Sequence, residues 1–245
     1  MDSTREILSD PRWVREIMRG KADVAAGRTV SLEEVKRRIA KGPTKNRLAK
    51  TAVLVLDMQN DFCDSRGAFA RWLRWRPSPI QRLVPKLSRF IDKARKAGAL
   101  VVFSQMINST IESPPNLRKK LASGAEEKAG CWPFGLARGS WGWRLYRLQP
   151  KRRDIVLEKR YYDLFSNPLL KRKLAAHGIE RLIVTGVYTE VCVLSTALHG
   201  FMEWFEVVVP RDLTASVAQR EHLRKAALEI LHGYAADVVE SSELL

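Results

Sequence analysis

From Lys50 onward the hydrophobic pattern alternates between two kinds of stretch. Short, largely apolar stretches rich in β-branched residues occur at 51–56, 99–104, 154–159, 181–185, 205–210 and 236–239. Runs of that length without polar alternation mark strands buried on both faces, the situation of a parallel sheet. Between them the period changes. Ile80, Leu83, Val84, Leu87, Phe90, Ile91 and Ala94 line one face of a helix over 78–97, and Gly98 stops it. A second helix covers 167–177, with Asn167 as cap and Pro168 in its first turn. Val191, Leu194, Leu198, Phe201 and Met202 carry a third, and 215–232 a fourth. Strand and helix in alternation predict an α/β fold, a three-layer αβα sandwich with a six-stranded parallel sheet of Rossmann-like type.

Two regions depart from this rhythm. Residues 1–49 are rich in charge, with apolar positions at Ile7, Leu8, Trp13, Val14, Ile17 and Met18 around Pro11, a pattern of short amphipathic helices. Ser31-Leu32-Glu33-Glu34 reads as a capping box for a further helix that Gly42-Pro43 ends. The division is therefore a basic helical arm over 1–49 and a main domain over 50–245. Residues 105–150 are irregular, broken by glycine and proline, and carry Trp132, Phe134, Trp141 and Trp143. A long aromatic connection of this kind shapes a pocket or an interface.

Composition narrows the class. No apolar run approaches the ~18 residues of a membrane span, and MDSTREILSD has no apolar core of a signal peptide. The expectation is a cytoplasmic protein without a membrane partner. Cys63, Cys131 and Cys192 are an odd number and form no CxxC, which argues against a disulfide framework or zinc knuckle. A net charge of +16 invites a nucleic-acid reading. Yet the basic runs at 36–38, 118–120, 151–153 and 171–173 are dispersed and no recognition motif accompanies them. They read as solvated surface that binds nucleic acid only nonspecifically, at low salt.

Chemistry gathers at the strand ends, where parallel α/β folds place their sites. The first strand ends at Asp57, the third at Lys159, and the fourth leads through a turn to Cys192 at a helix start. Backbone N–H groups and the positive end of a helix dipole there favour a thiolate and can hold an oxyanion. Asp57 is placed to act as general base and Lys159 to stabilise the charges. An acid, a lysine and a thiol at one sheet edge suit attack on a carbonyl carbon and release of ammonia or an amine.

The chain resembles the isochorismatase-like cysteine hydrolases through AVLVLDMQNDFC (52–63), VLEKRYYDLFSNPL (156–169) and LIVTGVYTEVCVLSTA (182–197). The resemblance covers about residues 50–240 and implies an Asp57–Lys159–Cys192 triad. It also implies a cis peptide at Val187–Tyr188, which would aim the backbone amides of Tyr188 and Cys192 at the oxyanion. Phe62, Tyr162 and Phe165 would line the pocket, Gln59 would brace the turn, and Gln105 would bind a polar substrate group. Nicotinamidases of this superfamily carry Asp-x-His after the second strand to bind a metal, whereas this chain has Ser104-Gln105-Met106-Ile107-Asn108. No metal and no cofactor are expected. Residues 136–170 look most like the ureidoacrylate and biuret branch, so a small amide, carbamoyl or ureido substrate is implied. The superfamily's habit of forming dimers or tetramers implies a homo-oligomer, with 131–146 as interface material.

Two rival readings stand beside this one. In the first, a basic binding protein keeps a hydrolase fold and acts through its N-terminal arm; deleting residues 1–45 and measuring retention on nucleic acid separates it. In the second, a related hydrolase acts on a cyclic or aromatic amide, in a pocket opened near Phe62 and Tyr162.

Overall fold

A computed structural model of the protein describes residues 11–27, 29, 31, 48–108, 112–122 and 136–245. The chain divides into two compact units, residues 1–42 and 43–245. In the first, helix α1 spans Pro11–Ala25, with proline in its first turn and Ile17, Met18 and Val24 exposed. Ile7, Leu8, the remainder of the capping box after Ser31, and Gly42-Pro43 lie outside the described residues, as do Cys131, Trp132 and Phe134.

The second unit carries β1 (Thr51–Leu56), α2 (Asn60–Cys63), α3 (Ala68–Trp72), α4 (Ser78–Lys96), β2 (Leu100–Met106) and α5 (Pro115–Ala122). It continues with β3 (Ile155–Lys159), α6 (Leu169–Ala176), β4 (Arg181–Gly186), α7 (Leu194–Met202), β5 (Glu206–Pro210), α8 (Glu221–Tyr234) and β6 (Asp237–Val239). All neighbouring strands pair in parallel, in the order β3-β2-β1-β4-β5-β6. Alternation along the strands fills two apolar layers. Val53 and Val55 of β1 join Val101, Phe103 and Ile183 against Ile80, Leu87 and Ile91 of α4. Ala52, Leu54 and Leu56 pack on the other face with Leu170 and Leu174 of α6, Ala197 of α7 and Leu231 of α8. Each fully buried Leu, Ile or Val contributes about 1.5–3 kcal/mol, so helix layers on both faces hold the six-stranded sheet.

Three local departures from the sequence pattern have physical causes. Strand β2 runs on to Met106, because Lys159 at the end of β3 extends the ladder to it. Helix α8 begins at Glu221, not at 215, because Thr214–Ser216 is drawn to β4: Ala215 N donates to Gly186 O at 3.2 Å, and Thr189 N to Ala215 O at 3.1 Å. Short helices α2, α3 and α5 occupy stretches without a helical period long enough to read.

Topology then locates the site. From β1 the chain winds through β2 to β3 on one side, and from β4 through β5 to β6 on the other. The crevice between β1 and β4 is the switch point, where ligands sit beyond the carboxyl ends of strands. Gly186 closes β4 there at φ 101°, and a Cβ on it would lie 2.2 Å from Leu56 O. Backbone cannot yield as a side chain does. Gly186→Ala is expected to lower stability by about 2–3 kcal/mol and to shift Leu56 and the adjoining Asp57; urea midpoints and ammonia release check both effects.

Candidate active site

Asp57 follows β1 with φ 49°, a left-handed conformation uncommon outside glycine. Its N–H donates to Ser104 Oγ at 3.0 Å, and the Ser104 hydroxyl donates back to Asp57 Oδ1 at 2.6 Å. Lys159 ends β3 and reaches over the end of β2, placing Nζ 2.7 Å from Asp57 Oδ2 with both side chains buried. The same ammonium donates to Tyr161 O at 3.1 Å and Tyr162 O at 2.6 Å. A buried ion pair holds only when its remaining donors and acceptors are satisfied, and Ser104 with the two carbonyls meets that need.

Cys192 lies in a single π-helical turn, Thr189–Val193, between β4 and α7. The Val187–Tyr188 peptide leading into it is cis. Val191 N and Val193 N both donate to Tyr188 O, at 3.1 and 3.2 Å. The thiol is buried, and the charges of Asp57 and Lys159 both act on it. Burial pushes its pKa well up from 9.0; Lys159 opposes that and the Asp57 charge adds to it. Burial, the largest influence, works against the Lys159 ammonium, but Asp57 and Cys192 together hold the lysine above its ordinary 10.5. Desolvation of the sulfur beside the Asp57–Lys159 ion pair thus works against the thiolate that a helix start favours.

A cavity of about 220 Å³ opens over Cys192. Phe62, Met106, Asn108, Tyr162, Val187, Tyr188 and Val191 line it, with Phe69, Trp75 and Arg220 further round. The Tyr188 ring meets Phe62 and Trp75 edge-on, with centroids 5.3 and 5.6 Å apart. Phe62, Tyr162, Tyr188 and Cys192 thus share one cavity.

Two assigned pocket residues lie elsewhere. Gln105 is not among the lining residues and donates to Trp143 O at 2.9 Å. Its neighbour Met106 takes the cavity position, because successive strand residues face opposite ways. Phe165 sits in a 3-10 turn whose N–H is held by Asp163 Oδ1, and its ring stacks on His199 at 4.8 Å, inside the α6–α8 layer. Gln59 braces the turn: it donates to Met106 O and Trp143 O and accepts from Met106 N. Ser104, Phe69, Trp75, Asn108 and Arg220 escaped the sequence reading. The cluster FARWLRW at 69–75, soon after the Asp57 motif, was a usable signal for Phe69 and Trp75. Among the described residues no group of three or more His, Cys, Asp or Glu is placed to hold a metal ion, and no helix is long and apolar enough to cross a membrane.

These shifts share a sign. Burial raises Cys63 and Cys192 above 9.0 and Tyr146, Tyr162 and Tyr188 above 10.0, while Lys159 stands above 10.5. Each group keeps its proton longer folded than unfolded. Their stabilisation is full below pH 9 and is lost as pH rises through the folded values, since the unfolded chain then binds fewer protons. Urea midpoints are expected to fall steadily from pH 8.5 to 11; a flat or rising profile contradicts the burial of these groups.

Comparison with known proteins agrees with this geometry. A profile of the isochorismatase domain matches residues 51–243. The ureidoacrylate amidohydrolase RutB of Serratia proteamaculans is 34% identical over 201 residues, 77% of this chain and 80% of that one. The enzyme of the same name from Yersinia enterocolitica is 36% identical over 200 residues, 77% and 86% of the two chains. Among solved structures, an isochorismatase-like hydrolase from Alkaliphilus metalliredigens is 25% identical, with a TM-score of 0.65 over 79% of this chain and 96% of that one. N-carbamoylsarcosine amidase from Thermoplasma acidophilum, at 24% identity, shares the fold with a TM-score of 0.60 over 78% and 96%. The chain belongs to the isochorismatase family. Within it the chain falls in the RutB-like branch and is a hydrolase of carbon–nitrogen bonds other than peptide bonds.

Proposed function

We propose that the protein cleaves a C–N bond of a small amide, carbamoyl or ureido compound through a covalent intermediate on Cys192. What supports this reading is a buried Asp57–Lys159 ion pair whose charges both act on Cys192, with Cys192 itself lining one small, mostly apolar cavity. The thiol is neutral at rest, so attack and deprotonation proceed together. Asp57 takes the thiol proton as sulfur bonds to the carbonyl carbon. The oxyanion that forms is held by the backbone N–H groups of Tyr188 and Cys192. Asp57 then returns the proton to the leaving nitrogen, the C–N bond breaks, and ammonia or an amine departs. Asp57 next deprotonates a water, which attacks the thioester-type carbon and releases the acid or carbamate with the thiol restored. Lys159 keeps Asp57 in place and offsets negative charge throughout.

The experiment is ammonia release from biuret, N-carbamoyl amino acids, ureidoacrylate-like compounds, nicotinamide and short aliphatic amides, by wild type and Cys192→Ala, with and without chelator. Release that depends on Cys192 and ignores chelator, from a ureido compound, supports the reading. Release that survives Cys192→Ala sinks it. A homo-oligomer is part of the proposal: Phe201, Met202 and Trp204 leave an apolar patch exposed at the end of α7. Light scattering on the purified protein decides that point.

A further inference from the structure

A second cleft, of about 640 Å³, opens at the opposite edge of the sheet. Ala49, Leu100, Asp154 and Ile179 line it, at or just before the amino ends of β1, β2, β3 and β4. Cys192 lies beyond the carboxyl ends, so roughly 20 Å of strand separates the two places. The turnover proposed above uses none of the residues of this cleft.

The cleft is cationic. Arg95, Lys96, Lys151, Arg152 and Arg153 line it against Asp92 and Asp154, which leaves an excess of three positive charges. Both carboxylates are already engaged. Arg95 donates from Nε and Nη2 to the two oxygens of Asp154, at 3.1 and 2.5 Å, and from Nη1 to Asp92 at 2.8 Å. Lys151 Nζ donates to the same Asp92 oxygen at 2.8 Å. Among the described residues no hydrogen bond or ion pair reaches the side chains of Lys96, Arg152 or Arg153.

The backbone that carries the two arginines is fixed. They stand at the centre of a turn, where Asp154 N donates to Lys151 O at 2.8 Å and Lys151 N to Asp154 Oδ2 at 2.6 Å. The Asp154 side chain is 3% exposed, and Arg95 pins it to α4. A buried carboxylate thus sets Arg152 and Arg153 at the mouth of the cleft beside Lys96 and Lys151. Like charges gathered at one opening repel, and an anion between them relieves that repulsion. Arginine forks match phosphate oxygens bidentately. The floor has another character: Ala49, Gly98, Ala99, Leu100, Val101 and Ile179 are small or apolar. The volume falls within the ~300–1,000 Å³ of small-molecule sites.

We propose that this cleft binds an oligophosphate, free or carried on a nucleoside, with Arg152 and Arg153 on the phosphate oxygens. A nucleoside, where present, rests on the apolar floor.

The test is calorimetry on the full chain, with tripolyphosphate and ATP as the probes. At about 0.15 M salt the Debye length is about 8 Å, so diffuse surface charge is largely screened. Wild type is compared with Arg152→Gln/Arg153→Gln and with Arg82→Gln/Lys225→Gln, which removes the same charge from exposed positions of α4 and α8 outside the cleft. One probe molecule is expected to bind per chain. The paired arginine variant is expected to lose roughly 10- to 100-fold in affinity, the range of a charged hydrogen bond, and the control variant less than about 3-fold. None of the four side chains has a partner to lose, so both variants are expected to keep the wild-type urea midpoint. Tighter binding of ATP than of tripolyphosphate assigns the floor to a nucleoside; equal binding assigns the site to the phosphate chain alone. Failure of both probes to saturate wild type overturns the proposal. Several anions per chain, or equal loss in the two variants, overturns it as well, because that is diffuse attraction of the kind that draws any nucleic-acid backbone to a basic surface.

Discussion

Cys192→Ala is expected to cut ammonia release by at least roughly 10³-fold, the scale seen when a covalent nucleophile is removed, and to leave the fold standing. Cys192 is buried beside Asp57 and Lys159, so the variant loses one sulfur atom from the floor of the cavity. That deletion costs about 1 kcal/mol, a change a melting curve resolves without mistaking it for unfolding. Cys192→Ser is expected to fail nearly as completely, because a hydroxyl in the same desolvated place is harder to deprotonate than a thiol. The raised pKa of Cys192 adds a distinctive signature. Alkylation of residue 192 by iodoacetamide in substrate-free enzyme, followed by mass spectrometry, is expected to be slow at pH 7 and to keep climbing beyond pH 9. A plateau below pH 8 would show a resting thiolate and overturn the concerted proton transfer to Asp57.

Lys159→Met is expected to cost about 3–5 kcal/mol of stability, the range for breaking a buried ion pair by removing one partner, and to abolish turnover. The methionine fills most of the lysine volume, so packing is nearly conserved and the cost is electrostatic. It strands Asp57 Oδ2 in the interior and leaves the carbonyls of Tyr161 and Tyr162 without the ammonium that joins them. Asp57→Asn isolates the ammonium instead. The double variant Asp57→Asn/Lys159→Met removes both charges and is expected to lose less than the two single losses added together. Urea titrations of the four proteins form a double-mutant cycle. Additive losses would mean that the pair, though 2.7 Å apart, contributes little through its mutual attraction.

Much of the site was legible because each part follows directly from a strand. Asp57 closes an apolar run, Lys159 closes another, and Cys192 stands where strand period gives way to helix period. A parallel sheet brings the carboxyl ends of its strands to one edge, so three local signals become one place in space. Gln105 shows where local reading fails. The strand that holds it continues to Met106, and that extension, made by pairing with β3, decides which of the two faces the cavity. Phe165 failed for another reason: the 3-10 turn capped by Asp163 turns its ring toward α7. Ser104 reads as a small polar residue in an apolar run, and only the approach of β1 makes it a partner of Asp57.

By itself the sequence determined the α/β class, the alternation of strand and helix, and the identity of the acid, the lysine and the thiol. These rest on periodicity within a dozen residues and on the geometry common to parallel sheets. Only the tertiary structure decided the desolvation of Cys192, the lining of the cavity and the presence of Arg220 within it. Desolvation depends on every neighbour that excludes water, and Arg220 arrives from the turn before α8, held by Glu190 and by Trp75. Such contacts join residues far apart in the chain, so no local pattern encodes them.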